Sequence, residues 1–182
     1  MGQIVGIFGD RQSGKTSLCL EIIRRLQNEG LQTGGFISPG CFDDSGQKSG
    51  IDAVLLPTLQ RRALAVRRPE PVPAGTSQWI LSNSTLTWAE NFILALPAPQ
   101  VLVVDEIGPL EVKQGRGWHA ALDVLKKGQF QVGFVTYRRE LAAWFEHEFP
   151  ELIALEIIPG RTIRQADDLL HLLRKHLSTP SA

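Results

Sequence analysis

The sequence predicts a three-layer α/β domain, in which helices cover both faces of a mostly parallel sheet that carries a small β-rich insertion. Short apolar runs alternate with amphipathic stretches along most of the chain, which is the pattern of βα units. The first apolar run, Gln3–Phe8, leads through a glycine-containing loop into a stretch with helical period. A later run, Val101–Val104, is apolar at every position, as in a strand that is covered on both faces.

Size and composition indicate one domain over residues 1–182, because a chain of 182 residues buries a full core without disulfides or metal ions. Lys plus Arg number 19 and Asp plus Glu number 19, so no overall field draws the protein to nucleic acid or to an anionic membrane. The sequence shows neither a signal peptide nor an apolar run of membrane-spanning length. We therefore expect a cytoplasmic protein with no membrane or nucleic-acid partner.

The remaining elements follow from periodicity and from turn residues. Helices are predicted from about Gly14 to Glu29 and around 86–96, 118–127, 139–149 and 163–177, and strands over 31–38, 131–136 and 152–158. Residues 39–80 are rich in glycine, proline and arginine around short β-like pieces, which predicts an antiparallel or hairpin insertion. Thr162 and Gln165 have the spacing of a capping box at the start of the last helix.

The loop after the first strand carries the clearest chemical signal. Its sequence, Gly-Asp-Arg-Gln-Ser-Gly-Lys-Thr over residues 9–16, fits G-x-x-x-x-G-K-[ST] at every fixed position. Glycines let successive N–H groups point at phosphate oxygens, and the helix that follows favours negative charge at its N-terminus. Lys15 is placed to neutralise the β- and γ-phosphates, and the Thr16 hydroxyl to bind Mg²⁺. The predicted nucleotide-binding residues are Gly9, Asp10, Arg11, Gln12, Ser13, Gly14, Lys15, Thr16 and Ser17.

Two carboxylates, Asp105 and Glu106, directly follow the apolar run Val101–Val104. Parallel strands deliver their C-terminal residues to one edge of the sheet, which is also the edge of the phosphate-binding loop. Asp105 is predicted to hold Mg²⁺ together with Thr16. Glu106 is predicted to act as the general base that orients and polarises a water molecule against the γ-phosphate.

Two further catalytic candidates come from neighbouring strand ends. Thr136 ends the strand that is expected between the loop strand and the aspartate strand. A polar residue at that position could touch the γ-phosphate or the attacking water. The alternative is that Thr136 is an ordinary threonine at a strand end, with no catalytic role. Developing charge on the transferred phosphoryl group also requires a cation. Arg161, which follows Gly160, is the first choice for that cation. Other arginines after strands, or a residue of another subunit, are the alternatives.

The order of these motifs resembles one family. The loop, Gly34-Gly35-Phe36 and the stretch from Val103 to Glu111, which contains D-E-I-G-x-x-E, are similar to the small nucleoside-triphosphatases first described from thermophiles, a group related to nucleotide kinases. The resemblance implies a P-loop fold of the catalytic-glutamate type and slow hydrolysis of ATP, GTP and other triphosphates to diphosphates. The loop interior, residues 10–13, and the stretch 38–41 depart from the family pattern.

The sequence therefore predicts a Mg²⁺-dependent nucleoside-triphosphatase, and the resemblance implies loose base specificity. Because no N-K-x-D motif for reading guanine is present, a dedicated GTPase of the Ras type is not expected. One alternative is a nucleotide or small-molecule kinase in which the insertion forms an acceptor pocket or lid. A second alternative is an adaptor in cofactor assembly that binds nucleotide with almost no turnover. A protein partner or a homo-oligomer is compatible with each of these functions.

Overall fold

A computed structural model describes residues 2–73 and 77–177. Across these residues the strands are β1 (Gln3–Gly9), β2 (Thr33–Ile37), β3 (Gly40–Phe42), β4 (Lys48–Leu56), β5 (Arg61–Arg67), β6 (Trp79–Leu81), β7 (Val101–Ile107), β8 (Val132–Arg138) and β9 (Ile153–Glu156). The helices are α1 (Lys15–Asn28), α2 (Asn83–Ala95), α3 (Pro109–Gln114), α4 (His119–Lys127), α5 (Ala142–Glu148) and α6 (Thr162–Leu173). A short 3-10 turn, Arg139–Leu141, precedes α5.

All the strands join one sheet, in the order β6-β5-β4-β2-β7-β8-β1-β9, with β3 paired to β4. The half from β2 to β9 is parallel throughout. The half from β3 to β6 is antiparallel, and it joins the parallel half where β4 pairs with β2. The insertion predicted over residues 39–80 thus extends the main sheet beyond β2.

Two apolar cores lie on the opposite faces of this sheet. On one face α1 and α6 pack against side chains that include Val101 and Val103. On the other face α2, α4 and α5 pack against side chains that include Leu102 and Val104. Successive residues of β7 point to opposite faces, so its unbroken apolar run is buried on both. The predicted three-layer architecture is confirmed.

The start of α6 differs from the prediction. Arg161 occupies the N-cap position, and no side chain caps the helix. Gln165 is instead 7% exposed, and its side chain accepts a hydrogen bond from the Ile158 N–H at 2.9 Å and donates one to the Glu156 carbonyl at 2.8 Å. The predicted capping box of Thr162 and Gln165 is therefore wrong, because Gln165 links α6 to the end of β9 by hydrogen bonds.

Within the described ranges, the helices are all too short or too polar to cross a membrane.

Candidate active site

The phosphate-binding loop connects β1 to α1 and closes tightly around its own backbone. A Cβ atom at Gly9 would lie 2.3 Å from Ile157 Cγ2 and 2.9 Å from Ser13 Oγ, so the loop has no room for a side chain there. Gly14, at the N-cap of α1, has φ of 99°, which lies in the left-handed region that glycine adopts readily. Gln12 adopts φ of 59° in the same loop, a conformation that costs a residue with a side chain on the order of 1–2 kcal/mol.

Lys15 is the first residue of α1 and is 6% exposed. Its Nζ donates to the Gly9 carbonyl at 3.1 Å and to the Asp10 carbonyl at 2.7 Å. Burial lowers the pKa of this ammonium group, while the neighbouring carboxylates of Glu106 and Asp105 act in the opposite direction. The predicted phosphate-binding lysine is therefore held inside the loop, between the backbone and the two carboxylates.

Asp105 is fully buried and brings three elements together. Its Oδ1 accepts hydrogen bonds from the hydroxyl of Thr136 at 2.5 Å and from that of Thr16 at 3.3 Å. Its Oδ2 accepts from the Ser38 N–H at 2.9 Å. Burial raises the pKa of the Asp105 carboxyl, and these hydrogen bonds counteract that effect. The structure thus gathers three predicted site residues, Thr16, Asp105 and Thr136, around one carboxylate oxygen.

The position of Thr136 depends on strand order. β8 pairs with β1 on one side and with β7 on the other, and Thr136 lies in register with Ile7 of β1. Thr136 therefore lies on the strand between the loop strand and the aspartate strand, as the sequence predicted. The predicted strand end is wrong, because β8 continues two residues further, to Arg138.

The donor set at Asp105 fits Mg²⁺. Thr16 Oγ1 and Asp105 Oδ1 are 3.3 Å apart, and both are the hard oxygen donors that this ion prefers. Proteins commonly hold Mg²⁺ through one or two carboxylates together with substrate phosphates and water. No cluster of three or more His, Cys, Asp or Glu suited to a metal ion occurs in the described part of the chain. Thr16 and Asp105 would therefore share the ion with the triphosphate.

Glu106 extends from the end of β7, where the pairing with β8 changes register between Val104 and Ile107. Its carboxylate is about a third exposed, with Oε1 at 3.4 Å from Nε of Arg138 at the end of β8. The predicted general base is thus accessible to solvent and pairs with an arginine on the neighbouring strand.

Two arginines at and directly after the end of β8, Arg138 and Arg139, contact acidic residues of the site. Arg139 contacts Asp10 at 3.4 Å and Glu156 at 2.6 Å. Arg161 is exposed at the start of α6, and within the described residues its side chain makes no hydrogen bond or ion pair with the loop or the carboxylates. Arg161 stays a prediction. Arg138 is the cation that the structure places beside Glu106, since the end of β8 lies next to the end of β7.

The remaining predicted binding residues lie in the loop, except Ser17, which lies on α1. Asp10, Arg11, Gln12 and Ser17 are exposed and Ser13 is half-buried. The Ser13 hydroxyl oxygen is buried and has no hydrogen-bond partner within the described chain. A buried polar group without a partner is costly, which is consistent with a role for this hydroxyl in binding phosphate.

Two residues near the site had no predicted role. Glu111 of α3 is 6% exposed, and its carboxylate accepts hydrogen bonds from the N–H groups of Gly108 at 2.8 Å and Trp118 at 3.1 Å. It thereby fixes the chain on both sides of α3. Ser38, after β2, donates from its hydroxyl to the Asp105 carbonyl at 2.5 Å. The sequence did contain a signal for each of these residues. Glu111 is the glutamate that ends D-E-I-G-x-x-E, and Ser38 is the polar residue at the end of an apolar strand.

A cleft of about 620 Å³ opens beside Glu106 and reaches the antiparallel half of the sheet. Most of its wall is apolar and comes from β4–β6, α2 and the segment around α3. The described residues that line it are Arg11, Ser38, Ile51, Leu64, Ser77, Gln78, Trp79, Leu81, Leu86, Glu106, Gly108, Pro109, Leu110, Glu111, Trp118 and Arg138.

Comparisons with known proteins found similar sequences and similar folds. A family model described as NTPase matches residues 4–154. The chain is 25% identical over 170 residues to the nucleoside-triphosphatase THEP1 of Methanopyrus kandleri, covering 90% of this chain and 89% of that protein. Identity to the same-named protein is 29% in Hyperthermus butylicus, with 72% of each chain covered. In Methanocaldococcus jannaschii it is 27%, with 62% of this chain and 66% of that protein covered.

Two solved structures share the fold. A human cancer-related nucleoside triphosphatase superposes with a TM-score of 0.72 at 18% identity, covering 96% of this chain and 98% of that one. THEP1 from the hyperthermophile Aquifex aeolicus superposes with a TM-score of 0.67 at 15% identity, covering 94% and 99%. The predicted fold class, an α/β P-loop domain with a mostly parallel sheet, is confirmed.

Proposed function

Because the chain belongs to the NTPase family, we propose that it is a Mg²⁺-dependent nucleoside-triphosphatase that converts ATP, GTP and other triphosphates to diphosphate and phosphate. The observation that carries this proposal is the meeting of Thr16, Thr136 and Asp105 at one buried carboxylate oxygen, with Lys15 and Glu106 beside it. In P-loop enzymes catalysis is almost entirely positioning and charge stabilisation, and these residue types supply both.

Each residue has a proposed role. Lys15 and the loop N–H groups bind the β- and γ-phosphates, and Ser17 lies beyond them on α1. Thr16 and Asp105 hold Mg²⁺, which neutralises charge on the phosphates. Glu106 accepts the proton of the attacking water, and Thr136 keeps the Asp105 carboxylate oriented. Arg138, and Arg161 if α6 approaches the nucleotide, would balance the charge that develops on the phosphoryl group.

Loose base specificity is part of the proposal, and its support is the lack of an N-K-x-D motif in the sequence. The cytoplasm is the proposed location. A partner protein or a homo-oligomer remains compatible with this function.

The test is phosphate release from ATP, GTP, CTP and UTP with Mg²⁺, measured for the native protein and three variants. Glu106→Gln should retain nucleotide binding and lose about 10²-fold or more in kcat, the scale of a general base. Lys15→Ala should lose nucleotide binding. Glu151→Gln, which removes an exposed carboxylate before β9, is the matched control and should leave turnover unchanged. Equal phosphate release by Glu106→Gln and the native protein would refute the role of Glu106. The lack of Lys15-dependent phosphate release from all four triphosphates would refute the proposed hydrolase.

A further inference from the structure

The cleft beside Glu106 is much larger than hydrolysis requires. An attacking water molecule occupies about 30 Å³ of liquid volume, whereas the cleft has about 620 Å³. That volume lies within the range of pockets that bind small organic molecules. Ile51, Leu64 and Leu86 line its wall with apolar surface, which binds an organic ligand better than it binds water.

In the proposed function the attacking water lies at Glu106, and the cleft opens beside that residue. Glu106, Arg138 and the exposed loop residue Arg11 line the cleft, whereas Gly14, Lys15, Thr16 and Ser17 at the start of α1 do not. The attacking and leaving oxygens are roughly in line in phosphoryl transfer, so the attacking group approaches opposite the diphosphate. A molecule in the cleft would therefore meet the γ-phosphate as an attacking group.

The far end of the cleft has the chemistry of a site for a planar, hydrogen-bonding molecule. Trp79 lines it, with its ring 5.5 Å from Nζ of Lys48. Ser77 and Gln78 precede Trp79 in the chain and also line the cleft, so a hydroxyl and an amide lie beside an aromatic ring. Stacking on an aromatic side chain, with hydrogen bonds to the edge of the ring, is how proteins bind nucleobases.

From this arrangement we infer that the cleft is a phosphoryl-acceptor site for a nucleoside, whose base lies at Trp79 and whose ribose hydroxyl reaches Glu106. The inference rests on the triphosphate position in the proposed function. A ribose hydroxyl oxygen forms the new bond to the γ-phosphorus, and the bond from that phosphorus to the bridging oxygen of the diphosphate breaks. The hydroxyl proton passes to the Glu106 carboxylate. The products are a nucleoside monophosphate and a nucleoside diphosphate, and water is the competing nucleophile.

The experiment incubates the full-length protein with Mg²⁺, ATP labelled at the γ-phosphate and millimolar adenosine, guanosine, cytidine or uridine. Labelled nucleoside monophosphate is separated from labelled phosphate. We expect labelled monophosphate with at least one nucleoside, and its loss in Glu106→Gln. Trp79→Ala should raise the KM for that nucleoside about tenfold or more, the scale of one base stacked on one ring.

A second cleft variant and a control keep this result free of packing effects. Gln78→Ala, at an exposed position, should raise the same KM without disturbing packing. Trp88→Ala is the matched control, since Trp88 lies against Arg62 outside the cleft lining.

The outcomes separate this inference from the proposed function. Phosphate release without labelled monophosphate for any of the four nucleosides overturns the acceptor site and leaves the hydrolase standing. Labelled monophosphate with no phosphate release in the absence of nucleoside supports the acceptor site and refutes the hydrolase. Labelled monophosphate whose KM is the same in Trp79→Ala, Gln78→Ala and the native protein overturns the assignment to this cleft.

Discussion

At the scale of single residues, Asp105 shows how a buried charge is kept in this fold. Its side chain accepts hydrogen bonds from hydroxyl groups of α1 and β8 and from the backbone after β2. A carboxylate without such partners would be strongly destabilising in the protein interior. The same hydrogen bonds fix the orientation of the oxygens, so the groups that stabilise the charge also prepare it to bind a metal ion.

Glu111 is a second buried carboxylate, and burial raises its pKa, while the N–H groups of Trp118 and Gly108 act in the opposite direction. With a raised pKa, the folded protein keeps a proton that the unfolded chain has released. Stability therefore falls as pH rises from the unfolded pKa of 4.5 through the folded pKa.

Glu111→Gln, which cannot titrate, tests this pH dependence. We expect the free energy of unfolding of the native protein, relative to the variant, to fall over that pH range. The fall should be about 1.4 kcal/mol for each unit that separates the folded and unfolded pKa values. Urea unfolding of both proteins at pH 4.5 and at neutral pH measures the difference. Glu151→Gln should show no such dependence, and a constant difference for Glu111→Gln would contradict the prediction.

At the scale of elements, the sequence predicts what local patterns determine. The helix after the loop was placed correctly, because a helix with one buried face has an amphipathic sequence period. The strand that carries Asp105 was also placed correctly, because a strand buried on both faces has an unbroken apolar run. α3 was missed because it is only six residues long and begins at Pro109 directly after β7. The capping box at Thr162 was wrong because a tertiary contact uses Gln165, and local spacing does not report tertiary contacts.

The contact between Gln165 and β9 has a measurable consequence. Gln165→Ala would leave the Ile158 N–H and the Glu156 carbonyl without their side-chain partner, at a cost of about 1–3 kcal/mol in the free energy of unfolding. Urea denaturation of the variant provides the measurement. Thr162→Ala is the control, since the Thr162 side chain does not cap α6, and it should cost much less. Equal losses in the two variants would contradict this prediction.

At the scale of the whole molecule, the site is assembled by strand order. β8 lies between β1 and β7, which brings Thr136 and Arg138 to carboxylates that are distant in sequence. The sequence predicted which strand ends carry polar residues. For the cation that balances charge on the phosphoryl group it favoured Arg161 over Arg138, because the glycine before Arg161 is visible in the local sequence, whereas the adjacency of β7 and β8 is not. From the sequence, an acceptor pocket was only part of the kinase alternative. The walls of the cleft come from segments that meet through the antiparallel half of the sheet, and the sequence alone does not show that these segments meet.

Nucleotide binding should stabilise the folded state, because a ligand that binds only the folded protein shifts the unfolding equilibrium towards it. In the structure Lys15 donates to two loop carbonyls, and it must exchange these hydrogen bonds for phosphate oxygens. A ligand at 100 times its Kd stabilises the folded state by about 2.7 kcal/mol. For a chain of this size, that energy corresponds to a rise in Tm of about 5–10 °C.

We therefore expect ATP with Mg²⁺ to raise the Tm of the native protein by that amount in a thermal unfolding scan. Chelation of Mg²⁺ by EDTA should reduce the rise, because Thr16 and Asp105 then lose the ion that links them to the phosphates. Lys15→Ala should abolish it, whereas Lys127→Ala, at the end of α4, should leave it unchanged. A rise that persists in Lys15→Ala would place the nucleotide away from the loop and would contradict the site described above.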